Sequence, residues 1–207
     1  MTRPKSTTEP LADRILKACL DRADSSGWDS LTLHEIADDL GCSLVEVRNC
    51  YQDKDAVANA WFQQAQREML AVSKEAMAGL EAPERLIFLL KSWIAVLQRH
   101  RGASLDMLKG KLYPSHPHHW VPLIFDLSRF VHWLRDAALL KATGRQRQVE
   151  EIGLTALVLG TLAVWSRDAS QDMARTHRHI ERRLKMADRL MARRFRQSRE
   201  REHKSAA

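Results

Sequence analysis

Glycine and proline are scarce in this 207-residue chain, eight and six in all. Between them run long stretches of helix formers, and that composition leaves little room for anything but an all-α fold. Cysteine is scarcer still. Cys19, Cys42 and Cys50 fall at helical positions without metal-ligand spacing, which excludes a disulfide frame and points to reduced thiols in a cytoplasmic protein. No N-terminal apolar run is long enough for a signal peptide, and no segment reads as a membrane span. A nucleophile motif, a Gly-rich phosphate loop and a metal-ligand spacing are all missing, so neither an enzyme nor a cofactor is expected.

What is present is apolar material in helical register. Hydrophobic residues make up 44% of the chain and include six Trp, enough for a core spread over one or two domains. Leu33, Ile36, Ala37 and Leu40 share one helical face, and Gly41 can take the left-handed conformation that ends a helix. Ser43 can cap a second helix carrying Leu44, Val47 and Tyr51. Two short helices about a tight turn, with small Ala37 allowing close approach, make a helix-turn-helix whose second member projects. A helix so placed is the usual reader of a DNA major groove.

The run Arg14-Ile15-Leu16-Lys17-Ala18-Cys19-Leu20 is followed by Gly27-Trp28, Leu31-Thr32-Leu33, Ile36-Ala37, Leu40-Gly41, Ser43, Val47, Tyr51 and Lys54. Together they resemble the N-terminal region of the TetR family of transcriptional regulators. The resemblance implies an N-terminal three-helix DNA-binding domain over residues 1–54. A larger helical ligand-binding and dimerisation domain would span 55–198, with a disordered tail over 199–207. It also implies operator DNA, a small apolar effector and a second copy of the chain as partners. Arg3 and Lys5 lie where family members send an arm into the minor groove.

Along the reading helix Val45, Arg48 and Asn49 are the base-reading candidates, Arg48 through its planar fork to guanine and Asn49 to adenine. Thr32, Ser43, Tyr51 and Lys54 are candidates for phosphate contacts. Leu44 and Glu46 complete the predicted interface, although a carboxylate at Glu46 repels phosphate where the family carries a hydroxyl. Charge opposes easy binding as well: residues 1–54 hold seven basic and ten acidic side chains, net −3. The basic pI of about 9.6 comes instead from residues 175–204, net +8. Non-specific DNA affinity rests on cationic contacts, so the pI says nothing in favour of the hairpin.

Further along, residues 55–80 predict one long connecting helix, and helices follow over 84–100 and 103–111. An irregular stretch spans 112–122, where three His and three Pro suggest a structural or solvent-facing loop rather than a metal site, with a lining role at a pocket mouth between the two. Helices then cover 121–141 and 146–165. Candidate effector-pocket residues are Trp93, Leu97, Met107, Tyr113, His116, Trp120, Phe125 and Trp133. For the dimer interface implied by the family's four-helix bundle, they are Ile152, Ala156, Leu159, Gly160, Ala163, Ile180 and Leu184.

A second, shorter match lies in Leu162 to Ser170 with Thr176, Ile180 and Arg182-Arg183-Leu184. It is similar to the lipid-binding accessory family of coenzyme Q biosynthesis, which shares the fold without binding DNA. Under that alternative the protein holds a lipid or isoprenoid and touches a membrane surface through its basic C-terminal helix.

Overall fold

The computed structural model describes the backbone of residues 9–73, 75–111 and 117–205, and side chains within these except at 117–125 and 192–205. Nine α-helices and no strand occur among the described residues. In chain order they are α1 Leu11–Ser26, α2 Leu33–Leu40, α3 Leu44–Cys50, α4 Lys54–Leu70 and α5 Ala82–Arg99, followed by α6 Arg101–Lys111, α7 Pro117–Ala137, α8 Gly144–Trp165 and α9 Ala174–Ser205. The chain divides into two compact units, residues 1–67 with 95–120, and residues 68–94 with 121–207.

The first unit is built on α1, whose Ile15, Leu16, Cys19, Leu20 and Ala23 recur at three- and four-residue intervals and are all buried. Burial also pushes the Cys19 thiol up to about 12, so this sulfur packs as an apolar atom. Trp28 and Leu31 close the base of the hairpin. On α4, Val57, Ala58, Trp61 and Ala65 face inward. Trp61 donates its indole N–H to Ser104 at 2.8 Å, and Ser104 passes its own proton to the Leu97 carbonyl at 3.1 Å. His100 meets the Trp61 ring edge-on at 5.3 Å and binds Asp24 through Nδ1 at 2.6 Å. These bonds draw α6 and the end of α5 against α1 and α4, so this unit takes in more than the first 54 residues.

The second unit is a bundle held by named pairs. Trp93 of α5 lies on Phe130 of α7 with ring centres 4.5 Å apart. Lys91 of α5 bonds Glu181 of α9 at 2.7 Å, and the buried Arg135 of α7 pairs with Glu150 of α8. Leu154, Leu157, Val158, Thr161 and Trp165 form the inner stripe of α8, and Thr176, Ile180 and Leu184 that of α9.

Several boundaries differ from the sequence reading. The connecting helix stops at Leu70, because the Ser73 hydroxyl accepts the amide of Ala76 and Gly79 turns left-handed at φ 78°; the chain then restarts at Ala82. Gly102 does not break α6, which begins at Arg101. The expected loop over 112–122 becomes helix from Pro117, a position where a fixed φ suits a first turn, and Pro122 costs that helix one bond without ending it. Residues 112–116 lie outside the described set. Helix α9 continues to Ser205, past the expected onset of disorder at Arg199, in a run rich in Arg, Glu and Gln that sustains helix. Helix α8 is also long and apolar enough to cross a membrane by composition alone, contrary to the sequence reading, yet it packs as a bundle helix against α9.

Candidate nucleic-acid interface

The α2–α3 hairpin owes its shape to three local devices. Thr32 and Ser43 each open a helix with a reciprocal box, in which the hydroxyl accepts the amide of the third residue and that residue's carboxylate reaches back to the cap. Between them Gly41 sits at φ 62°, ψ 36°, and its amide returns to the carbonyls of Ala37 and Asp38. A side chain other than glycine is strained there, and the turn sets the angle at which α3 leaves.

Helix α3 is seven residues long and buries one of them, Val47, at 1% exposure. Val45, Arg48 and Asn49 lie on the opposite side, Leu44 stands one turn before Val47 at the edge of that face, and all four are exposed, Val45 at 68%. Among the described residues no carboxylate pairs with Arg48. Glu46 stands at the flank of this face and is tied back: its carboxylate accepts the Ser43 amide and hydroxyl, each at 2.8 Å. Those two bonds, the amide first, hold Glu46 below the usual carboxylate range. The carboxylate therefore stays ionised while it is held at the helix start, and its negative charge remains beside the reading face.

The other acids near the hairpin are likewise engaged. Arg22 of α1 spans Glu35 at 3.1 Å and Asp39 at 2.8 Å, and His34 lies 3.0 Å from Asp38. Across the whole first unit twelve basic and twelve acidic side chains balance, so the net +7 of the chain resides in the second.

The four phosphate-contact candidates are all occupied within the chain. Thr32 and Ser43 donate their hydroxyl protons to their own box glutamates at 2.9 and 2.8 Å. Tyr51 donates to the Ala12 carbonyl at 3.1 Å, which pins the end of α3 to α1. Lys54 gives its ammonium to the carbonyls of Trp28, Asp29 and Leu31 at 2.7, 3.3 and 2.9 Å and lies 5.2 Å from the Trp28 ring. Burial lowers its pKa, opposed by the nearby Asp29. Lys54 is thus a clasp on the α1–α2 loop, a role its sequence position does not reveal because the acceptors lie 23 to 26 residues away. Lys54→Met is expected to destabilise the protein by about 2 kcal/mol, since a charged donor to several carbonyls is lost. Thermal unfolding checks this; an unchanged midpoint would remove the clasp.

The remaining candidates separate. Leu97 and Met107 are buried in the first unit, and Trp93 in the second. Trp133 is 54% exposed, whereas Phe130, Val131 and Leu134 of the same helix are buried. Side chains of Tyr113, His116, Trp120 and Phe125 lie outside the described set, as do Arg3 and Lys5. On α8, Ile152, Ala156, Leu159 and Ala163 point outward. Gly160 is half-buried, and a methyl group added to it would stand 3.2 Å from the His179 ring. Ile180 and Leu184, expected in the dimer interface, are instead core residues of the single chain, on the inward stripe of α9. Met186 and Leu190 are the large exposed apolar residues of that helix among the described side chains, missed because a stripe read from periodicity does not say which half faces inward.

A solved structure of the TetR transcriptional regulator from Nitrosomonas europaea ATCC 19718 matches at 31% identity with a TM-score of 0.76, covering 87% of this chain and 99% of that one. The chain belongs to the TetR family of transcriptional regulators. A TetR regulator from Rhodococcus sp. RHA1 (16% identity, TM-score 0.65, 84% of this chain and 93% of that one) shares the fold. So does PfmR from Thermus thermophilus (16%, 0.54, 84% and 98%). No protein-family model and no curated protein matches the chain. Nothing in these likenesses favours the lipid-binding relatives, and the chain is a TetR-like transcriptional regulator.

Proposed function

We propose that this TetR-family regulator binds operator DNA as a homodimer through α3 and is released by a small apolar effector held in the second unit, acting as a repressor. The observation that carries the reading is the outward face of α3, where Leu44, Val45, Arg48 and Asn49 stand exposed while the neighbouring carboxylates are bound elsewhere. Arg48 and Asn49 read base edges, and Val45 and Leu44 pack on thymine methyl groups. Thr32, Ser43, Tyr51 and Lys54 serve the interface by fixing the hairpin, and phosphates are met by the backbone amides that open α2 and α3.

Dimerisation is supported by the apolar row Ile152, Ala156, Leu159 and Ala163 on α8, continued by Met186 and Leu190 on α9. Such a row, left in water on a single chain, fits a self-complementary bundle interface. Two copies place two reading helices in successive major grooves. An effector that favours a different spacing of those helices lowers operator affinity by shifting the population. The reaction-bearing constellations of an enzyme play no part in this reading.

Selection of genomic fragments with the purified protein at moderate salt tests it. The expected product is a set of fragments sharing an inverted repeat, with footprints about one helical turn apart. A library enriched no better than with a Val45→Glu, Arg48→Ala double variant would reject the reading.

A further inference from the structure

Trp93 lies at the middle of the inward face of α5, among Leu86, Leu89, Leu90 and Ile94, and is 6% exposed. Its indole N–H is fully buried and meets no acceptor among the described residues. An indole N–H can only donate, and a buried donor left unpaired costs about 1–3 kcal/mol. Thr161 occupies the equivalent place on α8, in the stripe of Leu154, Leu157, Val158 and Trp165, and its fully buried hydroxyl is likewise unpartnered. A third such atom, Nε2 of the half-buried His177 on α9, lies in the field of Lys91 and Glu181 instead of an apolar stripe. The unit's other buried polar residues are paired. Arg135 binds Glu150 and the Ala142 carbonyl, and Asp168 and Thr176 satisfy each other.

Resting on the effector reading above, we propose that the effector is a compact, uncharged molecule carrying a carbonyl-type oxygen that accepts the Trp93 indole N–H inside the second unit. The inward stripes of α5 and α8 here hold no ionisable residue, so a charged ligand would lose its hydration without compensation. A plain hydrocarbon would leave the indole unpaired. A neutral acceptor satisfies the donor, while its carbon frame lies against the leucines and the Phe130 ring packed on Trp93. The Thr161 hydroxyl, which can donate and accept, offers a second polar atom on another helix of the same bundle.

The test is a cycle of two probes and two proteins. Acetophenone and α-methylstyrene have nearly the same shape, one carrying a carbonyl oxygen where the other has a methylene; Trp93→Phe keeps an aromatic ring and removes the N–H. Binding to the full-length dimer is measured by calorimetry, with thermal melting to confirm that the variant is folded. Wild type is expected to bind both probes, and the variant to weaken acetophenone about tenfold while changing α-methylstyrene less than about twofold. Equal changes for both probes, or none, would overturn the acceptor inference and leave the effector reading standing. Binding of neither probe to wild type, at concentrations up to their solubility, would count against an apolar effector site altogether and take the inference with it.

Discussion

Arg48→Ala is expected to weaken operator binding by roughly 30-fold or more while leaving thermal stability unchanged. A bidentate arginine–guanine contact discriminates by about 1–3 kcal/mol, and a dimer on an inverted repeat makes two, for about 2–6 kcal/mol in all. Stability is spared because Arg48 is exposed and no carboxylate among the described residues pairs with it. The readout separates two roles. If Arg48 reads a base, the loss appears on the operator and not on random duplex, and the dependence of affinity on salt keeps its slope. If it meets phosphate, both duplexes suffer and the slope falls by about one for each contact removed. Operator affinity within about twofold of wild type would eliminate Arg48 as a reader.

In the second unit, Asp168→Ala is expected to cost about 3–4 kcal/mol and lower the melting temperature by about 10 °C. Asp168 is buried in the turn between α8 and α9. One of its oxygens accepts the Ser170 amide and hydroxyl at 2.9 and 2.5 Å, and the other accepts the Thr176 amide and hydroxyl at 2.7 and 2.5 Å. Burial alone, the largest single influence, would raise its pKa; the four bonds together outweigh it and hold the carboxyl well below its ordinary range. The sign of the pH effect follows. Its contribution is complete above about pH 4, where the unfolded carboxyl is ionised, and is lost as pH falls through the depressed folded value.

Acid titrations of wild type and variant should therefore converge at low pH and diverge above it. Parallel curves would show that Asp168 contributes nothing through its charge. The same turn sets how α9 lies on α8, so if the proposed dimer forms through these helices, the variant should also dissociate more readily in sedimentation.

The helical hairpin was legible because its determinants are local. Gly41 needs a positive φ, Ser43 and Thr32 need only a backbone amide three residues on, and the observed α2 and α3 fall within a residue of the expected limits. The two box partners, Glu35 and Glu46, were equally legible in the Thr-x-x-Glu and Ser-x-x-Glu spacings. The reading of Glu46 as a phosphate repellent is compatible with that box, which fixes the carboxylate and keeps it charged. The long connecting helix was overextended for a related reason: apolar spacing continues through Val72, and a competing side-chain bond at Ser73 carries no periodic signal.

From composition and spacing came the all-α class, the helix-turn-helix and the location of the surplus positive charge, because each depends on residues within a few positions of one another or on simple sums. The family came from the resemblance of residues 14–54 to TetR regulators. Tertiary structure decided that Lys54 clasps three distant carbonyls, that Ile180 and Leu184 belong to the core while Ile152 and Leu159 face water, and that the Trp93 indole lies buried without an acceptor among the described residues. All three concern what a side chain meets across a gap of many residues. Periodicity names the face on which a residue lies, and only packing says what stands opposite.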